Sequence, residues 1–196
     1  MIYIQLYLRS RRVPLALAVA AGAAVVLWTL WLTLSTESRV ATSMVVLTVG
    51  LLVSAVSTTL AAPDENLDRT ASRRWPWWRA AHLLAAVAVV MLIPLATLMT
   101  GAQFGPATLL LRDVAGLFGL TALAATVVGA ARSWFVPLGW AVIAALFPQP
   151  GLWGALATWP SQPHGNRPAA VVAAAFAVAG LVTYALAGPA RREPAE

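Results

Sequence analysis

PDENLDRTASRRWPWWR, residues Pro63–Arg79, decides how the chain is read. Its acidic side chains, Asp64, Glu65 and Asp68, all precede its arginines, and Trp75, Trp77 and Trp78 stand near its end. On either side stand Ala41–Ala62 and Ala80–Thr100, apolar runs without a single Asp, Glu, Lys or Arg. Each run has the roughly 20 residues that an α-helix needs to cross a ~30 Å hydrocarbon core. The stretch is therefore a charged loop between two membrane spans.

Working outward, the same pattern repeats. Further apolar runs cover Val13–Leu34, Asp113–Ala131, Trp134–Phe147 and Ala169–Gly188, predicting six transmembrane helices in one all-α domain over 13–188. Arginine occupies alternate gaps between them. Arg9, Arg11, Arg12, Arg69, Arg73, Arg74, Arg79, Arg132, Arg191 and Arg192 fall on one side, and only Arg39, Arg112 and Arg167 on the other. The positive-inside rule puts the Arg-rich side, both termini and the tail 189–196 in the cytoplasm of a bacterial plasma membrane. Three outward-running spans also share an entry in which arginine is followed by proline, with Trp75 and Trp134 at two of them; proline suits a first helical turn. Residues 1–12, with Tyr3 and Tyr7 ahead of three arginines, read as an N-terminal interfacial helix.

Composition bounds function by exclusion. The 196 residues are 60% hydrophobic and 10% charged, far below the ~25% charge of a soluble domain. A net charge of +6 would suggest nucleic acid in a soluble protein. Here the arginines stand at span ends against anionic headgroups, so no nucleic-acid partner is expected. All 13 basic residues are arginine. Without lysine there is neither a Walker A loop nor a Schiff-base site. Cysteine is absent, which removes thiolate metal sites and iron–sulfur clusters. Lysine-poor, Ala/Arg/Pro/Gly-rich usage points to a GC-rich, actinobacterial type of genome.

Within Pro63–Arg79, Pro63 suits a first helical position. Asp64 and Glu65 favour the positive end of the helix dipole, and Arg73 and Arg74 the negative end. The segment reads as a short cytoplasmic helix with Asp68 and Arg69 on adjoining faces, turning at Pro76 into span three. Its role is either docking of a soluble protein or topogenic anchoring alone. Pro148–Pro168 holds Gly151–Trp159, too apolar for a solvated loop and too short to cross, which fits an outer re-entrant segment between spans five and six.

Arg112 is read in a gap and Asp113 at a span end, although that gap includes the apolar Leu109–Leu111, which allows span four an earlier start. The span interiors are thus read as free of ionisable groups. Such groups are what proton-coupled carriers use. His82 and His164 fall on opposite sides, so no shared metal is expected. Ser43, Thr48, Ser54, Ser57, Thr58 and Thr59 give span two a polar side, which serves its own backbone or a neighbouring helix more readily than a substrate. Pro94 is expected to kink span three in its middle. Ser54, Ser57, Pro94, Trp153 and Trp159 are candidate pathway or gate residues. Ala115 with Gly119, and Ala125 with Gly129, permit close helix contact in span four. No paired carboxylates, nucleophile elbow or metal-ligand spacing appears, so no catalytic residues and no cofactor are assigned.

Six spans, an interfacial N-terminus, a charged inner helix after span two, a short inner turn after span four and an outer apolar segment before span six form an ordered set. That set resembles the membrane subunit of ABC-2-type ABC exporters over the whole chain. Of that family's Glu-x-x-x-Gly-Thr inner-loop pattern followed by Pro, Glu65 and Pro76 are present and the Gly-Thr pair is not. The resemblance implies a non-enzymatic permease subunit. Asp64, Glu65, Asp68, Arg69, Arg73, Arg74 and Arg132 would dock cytosolic ABC ATPase subunits, and ATP and Mg would be bound only in those partners. A second permease copy or paralogue would complete the complex in the lipid bilayer. The substrate would be hydrophobic or amphipathic, such as a lipid, drug, antibiotic or peptide. The alternative is a non-transporting structural, assembly or sensor subunit.

Overall fold

Gly105-Pro106 is the break that sets the register of the central helix, and it lies earlier than the run Asp113–Ala131, at the earlier start that Leu109–Leu111 allows. Gly105 takes φ +95°, open to glycine, and Pro106 cannot extend a helix backwards. Nothing between Ala107 and Val128 interrupts the winding, so the helix covers Ala107–Val128. Arg112 and Asp113 thereby enter its second turn, correcting the expectation that Arg112 ends a gap and that the span interiors hold no ionisable group.

The computed structural model describes residues 13–34, 40–61, 75–99 and 104–190, and its regular elements there are all helical. In chain order they are α1 (Val13–Leu34), α2 (Thr42–Ser57), α3 (Trp75–Ala96), α4 (Ala107–Val128), α5 (Phe135–Leu146), α6 (Gly151–Ala157) and α7 (Arg167–Ala187). Single 3-10 turns follow α2 at Thr58–Leu60, α3 at Thr97–Met99 and α6 at Trp159–Ser161. By length and composition α1, α2 with its 3-10 turn, α3, α4 and α7 suit a membrane crossing. Their outward faces carry Leu15, Val19, Leu84, Leu92, Val171 and Leu186, an apolar exterior that fits lipid rather than water.

Local chemistry explains the ends. Asn166 caps α7 by accepting from the Ala169 N–H at 3.0 Å, with Pro168 in the first turn. Gly188, at φ +73°, terminates it. Pro94 stands in the last turn of α3 rather than its middle, and the chain tightens there into the 3-10 turn. It ends the helix instead of bending its centre.

Contacts fix the directions. Tyr184 Oη donates to the Leu60 carbonyl at 3.0 Å, and Ala190 N–H to the Ala125 carbonyl at 2.9 Å. The C-terminal ends of α2, α4 and α7 therefore share one end of the bundle, the Leu60 end. Their N-terminal ends meet at the other, the Thr42 end, where Thr42, Pro106 and His164 line one cavity. These three helices are parallel. Helix α3 runs against them, because Thr59 Oγ1 pairs with His82 Nε2 at 3.2 Å and the Arg79 guanidinium lies against Gly188, both near its start.

Between α4 and α7 the chain must return. Helix α5 leaves the Leu60 end at the turn Gly129–Trp134, and Gln149 just beyond it bonds to the Thr42-end turn. Twelve helical residues cover only about 18 Å. Residues on either side complete the return.

Helices α2 and α4 form the centre. Most of α2 and its 3-10 turn is buried, whereas in α1 only Ala16 and Ala20 are. Backbones of α4 and α7 touch: a Cβ on Gly119 would strike the Phe176 carbonyl, and one on Gly180 the Gly119 carbonyl. That is the small-residue contact expected at Gly119, completed by Gly180 on its neighbour.

Candidate functional site at the Thr42 end

Arg112 is 7% exposed and Asp113 fully buried, roughly 8 Å along α4 from its first residue. A charge at that depth is costly unless it is paired and hydrogen-bonded. Here the guanidinium uses its whole fork. Nε donates to Asp113 Oδ1 at 2.8 Å, Nη1 to the Pro163 carbonyl at 3.0 Å, and Nη2 to the Pro160 and Gln162 carbonyls, each at 2.9 Å. Only arginine presents five donors in a planar fork, so one side chain binds a carboxylate and ties down a turn some fifty residues away.

That turn needs the clamp because its own backbone is irregular. Pro160 and Pro163 supply no N–H, and the 3-10 turn Trp159–Ser161 leaves carbonyls free. Around it Gln162 Nε2 donates to the Gln149 carbonyl at 3.0 Å and Thr158 Oγ1 accepts from the Gln149 N–H at 3.2 Å. The end of α5 is thus stitched to the chain beyond α6. Gly154 completes the fit, since a Cβ there would collide with the Gln149 carbonyl.

Trp159 points inward from this turn. It is fully buried, with its six-membered ring over Gly116, where a Cβ would collide with it. Gly116 lies roughly 14 Å along α4. Trp140, Phe176 and Trp159 form an aromatic column joining α5, α7 and the turn, with neighbouring centroids 6.4 Å apart. Trp153, six residues earlier, is 80% exposed. The two tryptophans chosen from sequence therefore face opposite ways.

The other candidate residues are scattered. Ser54 Oγ and Ser57 Oγ donate to the Gly50 and Ser54 carbonyls, each at 2.7 Å, so both hydroxyls serve their own helix. They lie in the half of α2 nearer the Leu60 end, whereas Pro94 lies toward the Thr42 end, where α3 finishes. Arg132 is exposed in the α4–α5 turn at the Leu60 end. Asp64, Glu65, Asp68, Arg69, Arg73 and Arg74 lie outside the described residues, as do the interfacial segment 1–12 and Arg191 and Arg192. The flanks of the charged loop, Ala61 and Trp75, are at the Leu60 end with Arg132.

Sequence reasoning missed the Arg112 clamp. Its signal was present: Arg-Asp stands between Leu109–Leu111 and Val114, and a charge pair with apolar residues on both sides points to a buried pair rather than a loop.

Beside the clamp lies a cavity of about 480 Å3. Its walls are Val40, Thr42 and Val45 from α2 and its approach, Gly105, Pro106 and Leu109 around the start of α4, and Ser161–His164 of the clamped turn.

Compared with protein-family models, curated proteins and solved structures, the chain gives no match in any of the three.

Proposed function

We propose that this chain is the transmembrane permease subunit of an ATP-driven exporter for a hydrophobic or amphipathic substrate, energised by a separate cytosolic ABC ATPase. A second permease copy or paralogue completes the pore. In this reading α5 with its flanks is a sixth crossing, Gly151–Trp159 is the outer re-entrant element, the Thr42 end faces outward and the Leu60 end faces the cytoplasm.

The observation carrying this reading is the segregation of charge. Asp113 is the one acidic residue among the described residues, and a fixed clamp neutralises it. The other acid–base side chains of the chain's middle are collected between Asp64 and Arg79, in a loop that leaves and re-enters the bundle at the end bearing Arg132. A bundle whose acidic group is tied into structure draws driving energy from elsewhere. A charged loop at the cytoplasmic face is where a partner chain would deliver it.

The test reverses two charges, Asp68→Lys with Arg69→Glu. The expected outcome is unchanged membrane insertion, loss of ATPase co-purification, and a fall in transport of roughly tenfold or more, equivalent to 1.4 kcal/mol of docking energy. Undiminished ATPase retention and transport would remove the docking role. A chain that isolates from native membranes with no nucleotide-binding partner would leave a structural or sensor subunit.

A further inference from the structure

Two described arginines stand at the Leu60 end. Arg132 is exposed in its turn, whereas Arg79 is half-buried against the bundle. A Cβ on Gly188 would stand 2.6 Å from Arg79 Cζ, and 2.7 and 2.8 Å from Nη1 and Nη2. With the carbon nearest, the guanidinium lies face-on over the end of α7, in a seat left open by the missing side chain of Gly188. Face-on seating turns the in-plane N–H groups away from that backbone. Among the described residues none accepts from them, and the one acid, Asp113, is bound to Arg112 at the other end. A half-buried guanidinium with open donors calls for an anion.

Deeper in the bundle from Arg79, a crevice of about 150 Å3 opens between α3, α4 and α7. Leu84 and Val87 on α3, and Leu181 on α7 counted back from Gly188, place it roughly 8–12 Å below the guanidinium. Gly188 and Leu181 are seven residues apart and so share one face of α7. The crevice is open to its surroundings, with Leu84 55% and Val178 62% exposed on its rims. Val87, Ala115, Ala177 and Leu181 form a half-buried floor, and every described residue lining it is apolar. Its volume is below the ~300–1,000 Å3 of sites that enclose a whole small molecule, and suits part of one alkyl chain. Trp77 and Trp78, exposed just before Arg79, stand where indoles mark the headgroup boundary.

We propose that this crevice is a specific site for an anionic glycerophospholipid of the leaflet at the Leu60 end. The lipid phosphate takes the in-plane donors of Arg79, whose fork matches phosphate oxygens, and the upper part of one acyl chain lies between Leu84 and Val178. Basic pockets between spans recognise anionic headgroups in this way, whereas an arginine free in the interface only attracts them. The site requires the bundle to sit in a bilayer and stands apart from the exporter reading.

The experiment is native mass spectrometry of the full chain, stripped of lipid in an uncharged maltoside detergent and titrated with phosphatidylglycerol or phosphatidylcholine of the same acyl chains. Both lipids carry a phosphodiester, and only the first has a net charge. The first phosphatidylglycerol should bind about fivefold more tightly than phosphatidylcholine, the effect of one arginine on an anionic lipid. Arg79→Gln should level the two affinities at unchanged thermal stability, and Arg79→Lys should keep most of the preference. Arg132→Gln removes the same charge at the same end, outside the crevice, and should leave the preference intact. Val178→Trp, at a rim position open to lipid, should cover the crevice and weaken both lipids. Equal affinities in the parent chain overturn the proposal. So does an equal loss of preference in Arg132→Gln and Arg79→Gln, which would assign the effect to the general field of that end. A lipid-free dimer that separates in Val178→Trp overturns it as well, since the crevice would then hold a second copy of the chain.

Discussion

Replacing Arg112 by methionine should cost about 3–5 kcal/mol, the penalty for leaving one member of a buried ion pair without its partner. The Asp113 carboxyl is fully buried, its Oδ2 has no hydrogen-bond partner, and Oδ1 relies on Arg112. The same substitution frees the carbonyls of Pro160, Gln162 and Pro163. Loss is therefore expected in two places: a lower midpoint on denaturation by SDS, and increased proteolysis between Pro148 and Pro168 in otherwise folded protein. Arg112→Lys should be intermediate, because an ammonium has three donors for four acceptors and no planar fork. Arg112→Met combined with Asp113→Leu should recover part of the loss by removing the stranded carboxyl, giving a coupling of about 1.5 kcal/mol or more. A single Arg112→Met variant within ~0.5 kcal/mol of the parent would show that the clamp is ornamental.

The second large effect is expected at Gly119. Alanine there places a methyl group against the carbonyl of Phe176 and the Cα of Ala177, atoms of backbone that cannot rotate away. Overpacking ordinarily costs ~1–3 kcal/mol, and a backbone neighbour puts Gly119→Ala at about 3 kcal/mol or above. Gly180→Ala should match it from the other side, since its Cβ would meet the Gly119 carbonyl. Gly22→Ala and Gly139→Ala are the controls. Neither added Cβ has a neighbour within 4 Å, and alanine is the better helix former, so both should be neutral or stabilising. Thermal melts of the purified chain decide it; four equal results would mean that α4 and α7 do not meet through their glycines.

Much of this architecture is legible in the apolar runs, because a crossing helix must be long, uncharged and bounded, and those demands are local. Val13–Leu34 is such a run, and α1 occupies it. Locality fails at α4. Arg112 and Asp113 look like a boundary when charge is read along the chain, and only the partner carbonyls fifty residues on make their burial affordable. The same limit applies to Trp159. In sequence it closes an apolar segment beside Trp153, yet one ring is buried on Gly116 and the other is exposed. What separates them is the clamp on Pro160, a tertiary interaction with no periodic signature. Ser54 and Ser57 are the opposite case, since their hydroxyls find partners within α2 itself. Pro94 shows how a helix boundary changes meaning: with α3 ending at Ala96, a proline expected to bend the helix instead stands at its close.

The exporter reading turns on which side of the membrane Pro63–Arg79 occupies and what it touches there. The natural chain has no cysteine, so Thr70→Cys introduces a lone thiol into an otherwise unreactive protein and leaves every charged docking residue in place. Cross-linking from that thiol in intact membranes, after treating whole cells with a membrane-impermeant maleimide, answers both questions in one gel. Position 70 should escape the impermeant reagent and then form an adduct with a nucleotide-binding ATPase. Labelling from outside the cell, or a thiol that is cytoplasmic yet cross-links to no ATPase, would contradict a permease driven through this loop.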